Sequence, residues 1–129
     1  MKTIIISALF SWNEEATAET VGAAHKALAE FAREIPGVRV CRYGLNETNR
    51  TSSVYAVYDN PKALKELFDA LVTQGSSIMA AETRVTTLMP GQTFIQGTKE
   101  SLDEVSDVID GWGLARFHTD TQGDAHIAI

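Results

Sequence analysis

The residues best suited to chemistry are few and dispersed. Trp12 and Asn13 stand together at the end of an apolar run. An indole offers a stacking surface, and a primary amide can hydrogen-bond a phenolate or a peroxy group. The plainer alternative is packing, with Asn13 capping the approach to a following helix and Trp12 covering its first turn. His25 falls beside an apolar stripe at helical spacing, where an imidazole can take a phenol proton near neutral pH or serve as a buried structural group. Arg42 and Tyr43 are neighbours on an alternating run, and Tyr55 and Tyr58 lie on the next one. Whichever side of those runs faces a pocket supplies a cation or phenols that can hold an anionic, planar ligand, although tyrosines on strands commonly fill cores. Phe68 belongs to the apolar stripe of a second helical run and is a further candidate for contact with a ligand.

Other chemistries lack their signatures. His118 and His126 with Asp120 and Asp124 do not have the spacing of a metal-binding set. There is no glycine-rich phosphate loop, no serine in a nucleophile elbow and no Cys-His zinc spacing. Neither a metal nor a nucleotide or flavin cofactor is expected.

The elements that must position these groups follow a clear order. Met1 to Phe10 alternates with both faces apolar, as a central strand does. From Thr17 to Ile35 the residues Val21, Ala24, Leu28, Phe31 and Ile35 recur at three or four, the period of an amphipathic helix that Pro36-Gly37 ends. Val38 to Leu45 and Ser53 to Tyr58 read as an antiparallel pair across the polar loop 46–52. Asn60-Pro61 opens a second helix with Leu64, Leu67, Phe68, Leu71 and Val72 inward. Gly75-Ser76-Ser77 breaks it, and Glu82 to Met89 reads as a fourth strand before Pro90-Gly91.

Strand, helix, strand, strand, helix, strand gives an α+β, ferredoxin-like antiparallel sheet with two helices on one face. The other face is not cleanly polar, so a homodimer packed sheet on sheet is expected. The domain is expected over residues 1–90, with 91–129 a C-terminal extension that packs on it or on the dimer partner. Within that extension Ser101 to Glu104 has capping-box spacing, Leu102, Val105, Val108 and Ile109 form an apolar stripe ending at Gly111, and Leu114 to His118 with Ala125 to Ile129 read as a hairpin.

The segment Glu30 to Val38, with its Ile35-Pro36-Gly37 strand entry, the strand Cys41 to Leu45, and the stretch Ser53 to Leu64 resemble the middle of the dimeric α+β barrel superfamily. Within it the antibiotic biosynthesis monooxygenase-like domains are most similar, with stress-responsive A/B barrel domains second. The resemblance covers roughly residues 1 to 90. It implies a pocket mouth near Trp12 and Asn13, because some monooxygenases of this kind hold an aromatic substrate with an Asn and a Trp. One scaffold in this superfamily serves very different chemistries.

Composition bounds the partners. At 129 residues the chain holds one core, and the formal charge of −6 with eleven scattered Lys and Arg disfavours nucleic acid. Cys41 is the single cysteine, which excludes an intrachain disulfide and suits a reducing, cytoplasmic setting. Lys2 before a short apolar stretch and Ala16-Thr17-Ala18 imitate a signal peptide, but Glu14 and Glu15 sit badly before a cleavage site. The sequons at Asn46 and Asn49 read as a polar loop. No stretch reaches the roughly 18 apolar residues of a membrane span. The expected partners are a second copy and a small-molecule ligand.

Two functions follow. The first is a cofactor-independent monooxygenase acting on a small aromatic or polyketide-like substrate, with Asn13, Trp12 and Arg42 holding the substrate anion and His25 taking its proton. The second is a non-catalytic dimer that binds a small metabolite or acts in a stress response.

Overall fold

A computed structural model describes residues 2–121. Strand β1 (Ile4–Trp12) runs through the middle of the sheet and is antiparallel to β3 (Thr51–Tyr58), in register from Ile4 opposite Tyr58 to Ser11 opposite Thr51. Strand β2 (Val38–Asn46) lies outside β3, with a bulge between Val38 and Val40. That bulge resets the alternation, so Cys41 and Tyr43 turn toward the helices while Arg42 turns away. Ile4, Ile6, Ala56 and Tyr58 then form the inner face of the sheet.

Two helices cover that face. Helix α1 (Ala18–Arg33) begins at a capping box: the Thr17 hydroxyl accepts from the Thr20 N–H at 3.2 Å, and the Thr20 hydroxyl accepts from the Thr17 N–H at 2.9 Å. It buries Val21, Ala24, His25, Ala29 and Ala32. At its exit Gly37 has φ 89°, and a Cβ there would stand 2.7 Å from the Ala63 Cβ, so the Pro36-Gly37 turn admits only glycine. Helix α2 (Pro61–Gln74) starts where the Asn60 side chain accepts from the Ala63 N–H at 2.9 Å. Its Leu64, Leu67 and Leu71 are each buried, worth about 1.5–3 kcal/mol apiece relative to exposure.

After Gly75 the chain departs from the expected strand. Ser76–Val85 forms a third helix, α3, and only Thr86–Leu88 is extended, as the short β4 paired with the far end of β1. The apolar line of α3 is Ile78, Glu82 and Val85, and the carboxylate at its middle hides the helical period.

The chain beyond Pro90 enters the same sheet. Strand β5 (Phe94–Gly97) pairs with the near end of β1, so β4 and β5 share one edge of β1, and β6 (Ala115–His118) lies parallel to β5. The sheet is therefore mixed, in the order β2-β3-β1-β5-β6, where an antiparallel one was expected. The crossover between β5 and β6 carries α4 (Lys99–Glu104) and α5 (Ser106–Ile109), as a parallel pair demands. Its cap is Thr98, whose hydroxyl accepts from the Ser101 N–H at 3.1 Å; Ser101, expected as the cap, is buried inside the helix. The expected second strand of the hairpin, Ala125 to Ile129, lies outside the described residues.

Candidate active site

Between the inner face of the sheet and the helices lies a cavity of about 310 Å³, at the small end of the range for small-molecule sites. Its floor is Ile6, Ala8, Phe10, Val54, Ala56 and Tyr58. The helices supply Leu28, Leu67, Phe68, Leu71 and Met79, and the chain beyond Pro90 supplies Thr93, Trp112 and Leu114. Among the described residues the lining holds no Lys, Arg or His, and its one carboxylate is Glu82.

Glu82 is 5% exposed and heads a buried chain of three side chains. Its Oε2 lies 2.8 Å from Nδ1 of His25, and Nε2 of His25 lies 2.7 Å from Oγ of Ser52. With the imidazole proton on Nδ1, His25 donates to Glu82 and accepts from the Ser52 hydroxyl, which satisfies both ring nitrogens. The rings of Phe10 and Tyr43, at centroid distances of 5.3 and 5.9 Å, hold the imidazole from either side.

Three elements converge to build this chain. Ser52 stands opposite Phe10 in the β1–β3 register, His25 projects from the middle of α1, and Glu82 occupies the last turn of α3. A carboxylate in the last turn of a helix faces the negative end of the dipole and costs about 0.3–1 kcal/mol there. Helix stability therefore does not account for Glu82, whereas the pairing with His25 does.

The same three side-chain types make the hydrolytic triad, in which a serine faces the substrate and an acid stands behind the histidine. Here the order toward the cavity is reversed. Glu82 lines the cavity and Ser52 does not. Oε1 of Glu82 is also buried without a hydrogen-bond partner among the described residues. A buried, unpaired carboxylate oxygen beside an apolar space is costly unless a ligand completes it.

Two other ionisable groups line the cavity, and both are held neutral. Burial pushes the Cys41 thiol up against the opposing pull of the Arg33 guanidinium, with the Glu82 carboxylate adding to the rise. Burial pushes the Tyr58 phenol up as well, with a smaller contribution from Cys41.

Of the residues singled out in the sequence, Tyr58 and Phe68 reach the cavity and His25 stands directly behind Glu82. Tyr43 packs on His25 without lining the cavity. Arg42 and Tyr55 lie on the outer sheet face, the guanidinium 5.7 Å from the ring centroid. Trp12 packs with Ala16 and Val21 in a separate cluster, under the Arg50 guanidinium. The Asn13 amide is fully engaged: Nδ2 donates to the carbonyls of Thr83 and Arg84 at 3.3 and 2.9 Å, and Oδ1 accepts from the Thr87 hydroxyl at 2.7 Å. It ties the end of β1 to the end of α3, away from the cavity.

No protein-family model matches the sequence, and no curated protein matches it. Solved structures do match in shape. MupZ from Pseudomonas fluorescens superposes with a TM-score of 0.74 at 15% identity, over 92% of this chain and 90% of its own. SnoaB from Streptomyces nogalater, described as a cofactor-independent oxygenase, gives 0.61 at 12% identity, over 74% of this chain and 91% of its own. A proposed antibiotic biosynthesis monooxygenase from Bacteroides thetaiotaomicron gives 0.56 at 16% identity, over 68% and 84%. The chain has the antibiotic biosynthesis monooxygenase-like fold. The match to MupZ spans 92% of this chain and so extends into the tail after Pro90.

Sequence reasoning missed Glu82 as a site residue. The signal was present: a carboxylate at the middle of a line of inward positions, Ile78, Glu82 and Val85, is legible once that stretch is taken as helix.

Proposed function

We propose that this protein is an acid–base enzyme for a small, apolar, aromatic or polyketide-like molecule, and that its reaction is cofactor-independent oxygenation. The observation that carries the reading is Glu82, the one carboxylate among the described residues that line the cavity, with Oε2 held by His25 and Oε1 buried without a hydrogen-bond partner among the described residues. Glu82 takes the proton of an activated C–H or O–H, and His25, fixed by Ser52, holds the carboxylate in position. Exclusion of water strengthens each of these electrostatic contacts. The substrate anion passes one electron to dioxygen, and the resulting radical pair joins to form a carbon–oxygen bond. The peroxide takes the proton back from Glu82. Loss of water then breaks the O–O bond and leaves a carbonyl, so that a CH2 group and O2 become C=O and H2O.

The shared fold with SnoaB supports the oxygenase form of this reading. The test is turnover of naphthols, anthrones and hydroquinones by the wild type and by Glu82→Gln. Substrates that bind to both proteins and react with neither would point to the second reading, a metabolite-binding protein, which the largely apolar cavity wall also favours.

A further inference from the structure

The cavity is not closed by the sheet and the three helices alone. One wall comes from the segment between α5 and β6, where Trp112 and Leu114 line it. Trp112 meets Phe68 of α2 edge to face, with centroids 4.7 Å apart, and it is flanked by Gly111 at φ 90° and Gly113 at φ 68°. Two glycines in the left-handed region on either side of one indole allow the chain to turn the ring inward, a path that other residues adopt only with strain. A Cβ on Gly111 would meet nothing, whereas one on Gly113 would stand 2.9 Å from the Pro90 Cβ. The second glycine is therefore also a close approach to the chain.

Both ends of the segment are anchored. Asp110 Oδ1 accepts from Nη2 of Arg116 at 2.7 Å, and the Ala115 N–H donates to the Thr93 carbonyl at 3.1 Å. Between these anchors the Trp112 N–H donates to the Ile109 carbonyl at 3.1 Å, and the indole rests on Phe68. The segment is thus an anchored loop that presents an aromatic wall to the cavity.

We infer that Trp112 is the residue that sets the size of substrate this protein accepts. This rests on the proposed use of the cavity as a substrate site. Replacing the indole by a methyl group extends the cavity toward solvent, and replacing it by phenyl keeps an aromatic wall of smaller reach.

The experiment is calorimetric binding of a two-ring probe, 2-naphthol, and a three-ring probe, anthrone, to wild type, Trp112→Ala and Trp112→Phe, with turnover of each probe followed in parallel. The expected result is a shift in the anthrone-to-naphthol affinity ratio of roughly tenfold in Trp112→Ala, with Trp112→Phe between the two. Should Trp112→Ala fail to fold, Phe68→Leu, which withdraws the ring that the indole leans on, is expected to move the ratio in the same direction. An unchanged ratio in the folded variants, or binding of neither probe to any of the proteins, would overturn the inference. A shifted ratio without turnover would instead count against the oxygenase reading and leave the role of Trp112 intact.

Discussion

Glu82 and His25 meet at 2.8 Å inside the protein at the wall of the cavity, and the other carboxylate oxygen, Oε1, is buried without a hydrogen-bond partner among the described residues. The histidine thereby stands one position back from the cavity. In the proposed reaction the buried imidazole sets the orientation of the base before the substrate arrives.

Removing the imidazole leaves that carboxylate buried and unpaired. His25→Leu is expected to lower stability by about 3–5 kcal/mol, while His25→Leu combined with Glu82→Met recovers most of the loss, because the charge and its partner leave together. Ser52→Ala removes one neutral hydrogen bond and is expected to cost about 1–2 kcal/mol. Chemical denaturation of the variants measures all three.

A fluorophosphonate distinguishes this arrangement from a hydrolytic triad. Ser52 does not line the cavity, so intact-mass spectrometry is expected to find no adduct after incubation. Labelling of Ser52 that Glu82→Gln suppresses would restore the triad order.

Asn13 makes the opposite prediction from a substrate-binding residue. Its amide bonds Thr83, Arg84 and Thr87, so Asn13→Ala is expected to lower stability by about 1–3 kcal/mol and to leave ligand affinity within about twofold. Thermal melts with and without a bound naphthol test both halves. A fall in kcat at unchanged Tm would return Asn13 to the site.

Alkali is expected to destabilise the fold through Cys41 and Tyr58, whose ordinary values are 9.0 and 10.0 and which burial raises in the folded protein. Above those values the unfolded chain gives up protons that the folded chain retains. Stability is therefore fully present below them and falls as pH rises, with a slope approaching about 1.4 kcal/mol per pH unit for each such group. Tyr58→Phe is expected to flatten the decline above about pH 10, as urea titrations at successive pH values would show.

The outer sheet face makes the expected homodimer a proposal with a simple test. Ile5, Leu9 and Val40 are half-buried there, Tyr55 is 36% exposed and Phe117 is 44% exposed, with Phe117 edge-on to Phe94. Sedimentation at micromolar concentration is expected to give twice the chain mass, and Tyr55→Glu to shift it toward the monomer by introducing a charge into an apolar face. A wild-type monomer would contradict it.

The fold was legible in the sequence wherever backbone chemistry was local. Asn60-Pro61, Pro36-Gly37 and the break at Gly75 each act within a few residues, and each falls where the pattern places it. What lay hidden depends on distant partners. The helical character of 76–85 is masked because its central inward residue is Glu82, and that burial is intelligible only beside His25, 57 residues earlier in the chain. The parallel pairing of β5 with β6 is equally invisible locally, since a crossover is needed before the strands meet. His25 was recognisable as chemically able, but its place behind Glu82 required the register that brings Ser52 opposite Phe10.

The most direct measurement is dioxygen uptake by the purified protein with naphthols, anthrones and hydroquinones, comparing wild type with Glu82→Gln, a variant of nearly the same shape. The account predicts uptake that depends on the protein and falls at least ~10²-fold in Glu82→Gln while substrate still binds. Uptake that is equal in the two proteins would contradict the assignment of Glu82 as the base.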